Sequence, residues 1–286
     1  MTFLFRRKKK RLAEVPQSSQ VEIDYRAVAA TDVGSVRDNN EDHLVFIRPF
    51  DKKIRASHGC LALVADGMGG HSSGEIASKM ATEIITRNYF DTNYEVLDAL
   101  KRAFDKANKA IFQKAARRPQ LKGMGTTCTG VVLLRDQIYL AHVGDSRAYI
   151  LKGEKLIQLS NDHTYVQHLL NKGKITYEES LSHPQRNVIT QAMGTSAKLQ
   201  ADYHLQKQKF EEGDKLLICS DGLYEYIKDD EMLHFLRNEK LNVVADKLIE
   251  LAKKRGGHDN ISVLIAETFY PNPELSNKET QKIKLS

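Results

Sequence analysis

Short, continuous apolar runs recur along the chain, at residues 44–47, 60–65, 128–134, 138–143, 148–151, 216–219 and 261–266. Their length and their content of valine, isoleucine and leucine predict strands. Tight polar links at Arg135-Asp136-Gln137 and Lys152-Gly153-Glu154 predict that neighbouring strands pair antiparallel. Residues 73–89 and 94–116 instead repeat Ala, Ile, Leu and Phe every three to four positions, the spacing of helices with one apolar face. A further helix is expected over residues 242–254. Strands arrive in runs and the helices as inserted pairs, so the expected class is α+β: an antiparallel two-sheet β-sandwich flanked by pairs of α-helices, in α-β-β-α layers.

Composition narrows the class. At 41% hydrophobic and 28% charged, the 286 residues suit a folded soluble protein and exclude a disordered, collagenous or membrane-embedded one. No repeat of 20 to 50 residues is present, so one folded unit is expected over residues 22–269, between a basic tail at 1–21 and a polar tail at 270–286. The net charge of +6 is entirely local. Arg6, Arg7, Lys8, Lys9, Lys10 and Arg11 supply the whole excess of 43 basic over 37 acidic residues. The rest of the chain is neutral and lacks the basic field with which a protein tracks nucleic acid, so no nucleic-acid partner is expected. No apolar run approaches the ~18 residues of a membrane span. Phe3, Leu4 and Phe5, followed by those bases, favour a weak contact of residues 3–11 with an anionic inner-membrane surface. Cys60, Cys128 and Cys219 are odd in number and show no Cys-x-x-Cys spacing, which excludes a disulfide framework and points to a reducing cytoplasm.

The candidate chemistry sits where apolar runs end in an acidic residue beside glycine. Asp66 closes Leu61-Ala-Leu-Val-Ala-Asp66-Gly67, Asp221 closes Leu216-Leu-Ile-Cys-Ser-Asp221-Gly222, and Asp145 follows the run that ends at Gly144. Asp259 stands just before another run, and Glu41 and Asp42 before a further one. A strand end is a rigid mount, and a glycine leaves its backbone carbonyl accessible, so such units offer both carboxylate and carbonyl oxygen to a hard cation. A single Asp-Gly is ordinarily a turn; recurrence at several strand ends is what suggests a site. Oxygen donors without a His or Cys cluster favour Mg²⁺ or Mn²⁺ over zinc. Several carboxylates at one edge of a sandwich would repel one another unless cations lay between them, which makes a two-ion site sensible.

Eight segments in order carry a resemblance: VRDNNED (36–42), VADGMGGH (64–71), GMGTT (123–127), VGDSRAY (143–149), SNDHT (160–164), HPQRNVITQAMG (183–194), CSDGLYE (219–225) and GGHDNISV (256–263). Together they resemble the bacterial branch of the metal-dependent PPM serine/threonine protein phosphatases, the type-2C class, over residues 26–267. The resemblance implies that Asp66 bridges two Mn²⁺ or Mg²⁺ ions, that the Gly67 carbonyl completes the first site, and that Asp221 and Asp259 hold the second. Glu41 and Asp42 would act mainly through metal-bound waters, and Asp145 would join Asp221 at a weaker third ion. Arg37 matches the phosphate-binding arginine, whose planar fork can take two phosphate oxygens. The implied reaction is hydrolysis of phosphoserine and phosphothreonine in proteins by a metal-activated water, with no phosphoenzyme, opposing one or more serine/threonine kinases. A cytoplasmic monomer is expected.

One position departs from some relatives. The residue after Asp66-Gly67, a histidine in chiefly eukaryotic members and there proposed as the acid for the leaving oxygen, is Met68, which has no proton to donate. His71 is one substitute and a water on the third ion another. Residues 162–193 resemble the family's flap beside the cleft, with Asp162 and His163 at its start as structural residues. Cysteine-based catalysis lacks its Cys-x5-Arg pattern, since the corresponding positions hold Asp66, Leu134 and Glu225. The competing reading is a catalytically silent partner-binding module of the same fold, which loss of the carboxylates would signal.

Overall fold

Each apolar run forms a strand because both of its faces find a partner layer. In the computed structural model, residues 23–69 and 73–269 are described. The basic tail, the polar C-terminal tail and His71 lie outside the described residues. In chain order the elements are β1 (Asp24–Asp32), β2 (Asp42–Ile47), α1 (Lys52–His58), β3 (Cys60–Met68), α2 (Ser73–Phe90), α3 (Val96–Arg117), β4 (Gly125–Thr126), β5 (Cys128–Leu134), β6 (Gln137–Val143), β7 (Arg147–Lys152), β8 (Lys155–Gln158), α4 (Tyr165–Asn171), α5 (Tyr177–Leu181), β9 (Asp202–Lys209), β10 (Lys215–Cys219), α6 (Asp221–Tyr224), α7 (Asp229–Asn238), α8 (Leu241–Lys254) and β11 (Ile261–Phe269).

One sheet has the order β1-β11-β10-β7-β8 and the other β2-β3-β5-β6-β9, with β4 paired to β3. The pairings are antiparallel. The two expected polar links are two-residue hairpin turns, β5 to β6 and β7 to β8. Gly153 takes the left-handed φ of 59° that the second turn requires.

Period-two alternation builds the layers. On β3, Leu61 and Leu63 face α2 and α3, meeting Ile85, Phe104 and Ile111, whereas Ala62 and Val64 face the other sheet and meet Ile218 and Leu264. On the opposite sheet, Leu217 and Ile265 turn outward against Leu248 of α8 and Leu236 of α7. Three apolar cores thus alternate with four layers, giving the expected α-β-β-α sandwich. Each fully buried aliphatic side chain contributes about 1.5–3 kcal/mol, so this layering, more than local propensity, holds the elements in place.

Several elements were not anticipated. β9, Asp202–Lys209, is an edge strand of alternating exposure, and β1 is rich in small residues. Within residues 162–193, α4 and α5 are short capped helices. Thr176 and Glu179 form a reciprocal capping box at the start of α5, Thr176 N–H donating to Glu179 Oε2 at 2.7 Å and Glu179 N–H to Thr176 Oγ1 at 3.2 Å.

Candidate active site

The strand ends that carry the acidic residues meet at one edge of the sandwich. Asp42 begins β2 and lies opposite Asp66 of β3 in the strand register. Asp145 sits in the turn that carries the chain from β6 to β7, that is, from one sheet to the other. Asp221 follows β10 and Asp259 precedes β11, neighbouring strands of the second sheet.

Backbone and hydroxyl contacts fix these groups. The Asp66 carbonyl accepts from Thr127 N–H and Thr126 Oγ1, both at 2.8 Å, and the Asp66 N–H donates to Thr127 Oγ1 at 3.0 Å. Ser220 Oγ donates to Asp42 Oδ2 at 2.8 Å and accepts from Ser262 N–H at 2.9 Å, tying the two sheets together beneath the site. Asn260 is a clamp: its Oδ1 accepts from Glu41 N–H at 2.8 Å while its Nδ2 donates to the carbonyls of Val33 and Asn39, both at 3.0 Å. Sequence reasoning gave Thr127, Ser220 and Asn260 no role, although each lies within a quoted motif. Ser220 and Asn260 carried a signal, a hydroxyl or amide directly beside Asp221 or Asp259, whereas Thr127 has no site carboxylate next to it in the sequence.

Gly67 is held by close approach. A Cβ there would land on the carbonyl of Gly74 at the start of α2, and it would stand 2.6 Å from the Glu41 carbonyl, so only glycine fits. The helix thereby rests on the site's backbone.

The electrostatics of the cluster are those of charges placed together before any compensation. Burial raises the Asp66 carboxyl well above the usual range, and Asp42, Asp221, Asp145 and Asp259 add to the effect. Asp221 is raised well above it as well, by burial and then by Asp145 and Asp259. Burial lifts Asp42 to about 6, against hydrogen bonds from Ser262 and Ser220. It lifts Asp145 to about 7, with Asp162 adding to the rise. Glu41 is raised by burial and partly restored by Arg37.

Four carboxylate oxygens, Glu41 Oε1, Asp42 Oδ1, Asp145 Oδ1 and Asp221 Oδ1, are buried without a hydrogen-bond partner. Buried polar atoms are ordinarily satisfied, so oxygens left bare at one edge call for cations. Among the described residues no three His, Cys, Asp or Glu side chains are grouped closely enough to hold a metal ion by themselves. Mg²⁺-like ions suit that spacing, because they keep several waters and need only one or two carboxylates each. The residues present fit a hard divalent cation.

Arg37 is half exposed at the rim, and its Nη2 donates to Asp259 Oδ2 at 2.7 Å. Arg147, which could have paired with Asp145, turns elsewhere. Its Nη2 meets Asp162 Oδ2 at 2.7 Å, its Nε meets the same oxygen at 2.9 Å, and its guanidinium lies 3.7 Å from the centre of the Tyr224 ring. Tyr224 donates its hydroxyl to the Asp145 carbonyl at 3.1 Å, so this stack supports the Asp145 turn. Asp162 is therefore a structural partner at the start of the 162–193 segment, and Asp145 Oδ1 is left for another use. The three cysteines are free and buried, and burial pushes Cys60 up to about 12 and raises Cys128 and Cys219 as well. None is a nucleophile.

The family model for Protein phosphatase 2C matches residues 38–260. Serine/threonine phosphatase stp of Listeria innocua serovar 6a is 35% identical over 243 residues, which span 83% of this chain and 93% of that protein. Among solved structures, the Mycobacterium tuberculosis serine/threonine phosphatase PstP/Ppp superposes with a TM-score of 0.76 at 36% identity, covering 85% of this chain and 98% of that one. The catalytic domain of serine threonine protein phosphatase PstP in complex with two manganese ions superposes with a TM-score of 0.74 at 33% identity, covering 86% and 99%.

Proposed function

The chain belongs to the protein phosphatase 2C family, and from that premise we propose how its residues divide the work. The reaction is metal-dependent hydrolysis of phosphoserine and phosphothreonine in proteins. The observation that carries the reading of the site is the set of buried carboxylate oxygens without partners at one sandwich edge. Asp66 and the Gly67 carbonyl, with Asp221 and Asp259, would hold Mn²⁺ or Mg²⁺, and Glu41 and Asp42 would act through waters. Asp145, whose Oδ1 is bare and whose charge adds to the shift on Asp221, would with Asp221 hold a third, weaker ion. When bound, the ions supply positive charge to the phosphoryl oxygens and acidify the water that attacks phosphorus.

The chain's own residues bind and orient. Arg37 spends one nitrogen on Asp259 and keeps the rest of its fork for phosphate oxygens. The Ser220 hydroxyl holds the Asp42 carboxylate, and Thr127 and Asn260 hold the backbone N–H groups of Asp66 and Glu41, so little reorganisation accompanies the reaction. The burial of all three cysteines leaves no thiol to carry the phosphoryl group, in keeping with the proposed direct hydrolysis.

The substrates proposed include a serine/threonine kinase whose action the enzyme opposes. Free buried cysteines support a cytoplasmic setting. No helix among the described residues is long and apolar enough to cross a membrane, and residues 3–11 are proposed as a weak contact with the inner membrane surface. The test is hydrolysis of a phosphothreonine peptide by metal-stripped protein with Mn²⁺, Mg²⁺, Ca²⁺ or Zn²⁺ restored, beside Asp221→Ala. Turnover with Mn²⁺ or Mg²⁺ that the substitution abolishes is expected. A folded protein inert with every metal would overturn the proposal.

A further inference from the structure

Beside the catalytic edge lies a groove of about 260 Å³. Phe112, Ala115 and Ala116 form one wall, from the end of α3; Lys122 and Met124 form the floor and rim, and Thr195 the far side. The groove adjoins the site across one short strand. Met124 leads into β4, whose Gly125 pairs with Met68, the residue after Gly67. A Cβ on Gly125 would stand 2.9 Å from Thr195 Cγ2 and 3.4 Å from Met68 Cγ, so the groove's far wall and the edge of the catalytic cleft are neighbours. An extended chain advances about 3.3–3.6 Å per residue, so a peptide with its phosphorylated residue at the carboxylates reaches this groove within a few residues.

Two further observations say what would fill it. Phe112 is half-buried and, unlike Phe104 and Ile111 of the same helix, does not belong to the core between the helices and the sheet; its ring serves the groove instead. The surrounding chain is basic without relief. No carboxylate occurs between Asp105 and Asp136, a stretch that contains Lys114, Arg117, Arg118 and Lys122. None of these four forms an ion pair among the described residues. The carbonyl end of α3 accounts for Lys114 and Arg117 in its last turn, but Arg118 and Lys122 lie beyond the helix.

We propose that this groove is a substrate subsite that takes an apolar side chain close to the phosphorylated residue of a phosphoprotein, with acidic residues beside it meeting Lys122 and Arg118. The proposal rests on the phosphatase reading above and adds a sequence preference to it. An apolar pocket with a charged rim selects in this way: the pocket anchors one side chain, and the rim charges favour acidic neighbours over basic ones.

The experiment measures kcat and KM of the full chain with Mn²⁺ on an aryl phosphate and on phosphothreonine peptides. The peptides carry Leu with two Glu residues, or Ser with two Lys residues, on either side of the phosphothreonine. Ala116→Trp fills the groove from an exposed helix position, and Lys122→Glu with Arg118→Glu reverses its rim. Wild type is expected to prefer the Leu-Glu peptide in one of the two orientations. Each variant should lose about tenfold or more in kcat/KM on that peptide, with aryl phosphate hydrolysis unchanged. Peptide kinetics unchanged in both variants would overturn the subsite, as would an equal fall on aryl phosphate and peptide. A wild type inert on every substrate would overturn the phosphatase reading and the subsite with it, whereas normal aryl phosphate turnover without any peptide preference would overturn the subsite alone.

Discussion

Asp42 and Asp66 stand directly opposite each other across the β2–β3 pair, two carboxylates mounted on adjacent strands. Burial raises both of them. Removing their mutual repulsion is what a divalent ion contributes, so binding stabilises the fold as well as enabling the reaction. Mn²⁺ at a hundred times its Kd is expected to add about 2.7 kcal/mol to the stability of wild type. Thermal unfolding with and without Mn²⁺ measures this. Asp221→Asn should lose most of the metal-induced rise while its metal-free Tm stays level or increases, because one buried like charge is gone.

Arg147 should prove a structural keystone. Its partner Asp162 is only 6% exposed, so Arg147→Ala leaves a buried carboxylate unpaired and costs about 3–5 kcal/mol. Arg147→Lys keeps the charge but loses the fork and the stack on Tyr224, and should fall between the two. Urea midpoints at constant m-value would establish the order. A lysine variant as stable as wild type would show that the fork and stack carry no weight.

Gly74 tests the contact between α2 and the site. An alanine within a helix is normally stabilising by about 1 kcal/mol relative to glycine. Here its Cβ would stand 2.7 Å from the Gly67 backbone and 2.8 Å from the Glu41 carboxyl, so Gly74→Ala is expected to destabilise by about 1–3 kcal/mol and to depress turnover. Denaturant titration reads the sign directly.

Asp24 carries a pH dependence far from the site. It is 2% exposed; burial alone would raise it, but hydrogen bonds from Arg48 and the Tyr25 N–H, with the charges of Arg48 and Arg55, hold it below the usual carboxylate range. Between the folded and unfolded pKa values the unfolded chain holds the extra proton, so stability falls with falling pH. The contribution is complete above the unfolded value of about 3.9 and is lost as pH drops through the folded one. Asp24→Asn should be weaker than wild type by about 1.5–3 kcal/mol at pH 7, and the gap should close progressively below about pH 4. Urea midpoints between pH 7 and pH 3 measure it.

Legibility followed the reach of the forces involved. β5 is Cys128–Leu134, as its apolar run implied, because a strand covered on both faces is mostly apolar, here with Thr129 as the exception whose hydroxyl bonds the Ser146 carbonyl. β9, Asp202–Lys209, escaped notice because an edge strand with one open face carries His204, Lys207 and Lys209. α5 was signalled only by Thr176 and Glu179, a local cap too short to stand out from the surrounding polar segment.

The sequence by itself determined the buried strands and the long amphipathic helices, and that carboxylates terminate several of the strands, since periodicity and turn chemistry act over a few residues. It also carried, in eight ordered motifs, the family to which the chain belongs. Only the tertiary structure decided which carboxylates share an edge, that Arg37 reaches Asp259 across 222 residues of chain, that Asn260 clamps the Glu41 segment, and that Arg147 serves Asp162 and Tyr224 instead of Asp145. Those relations depend on strand register and on the stacking of two sheets. Burial and repulsion then raise the carboxyls of Asp42, Asp66, Asp145 and Asp221 by amounts that no local pattern contains, because both are set by groups distant in sequence and close in space.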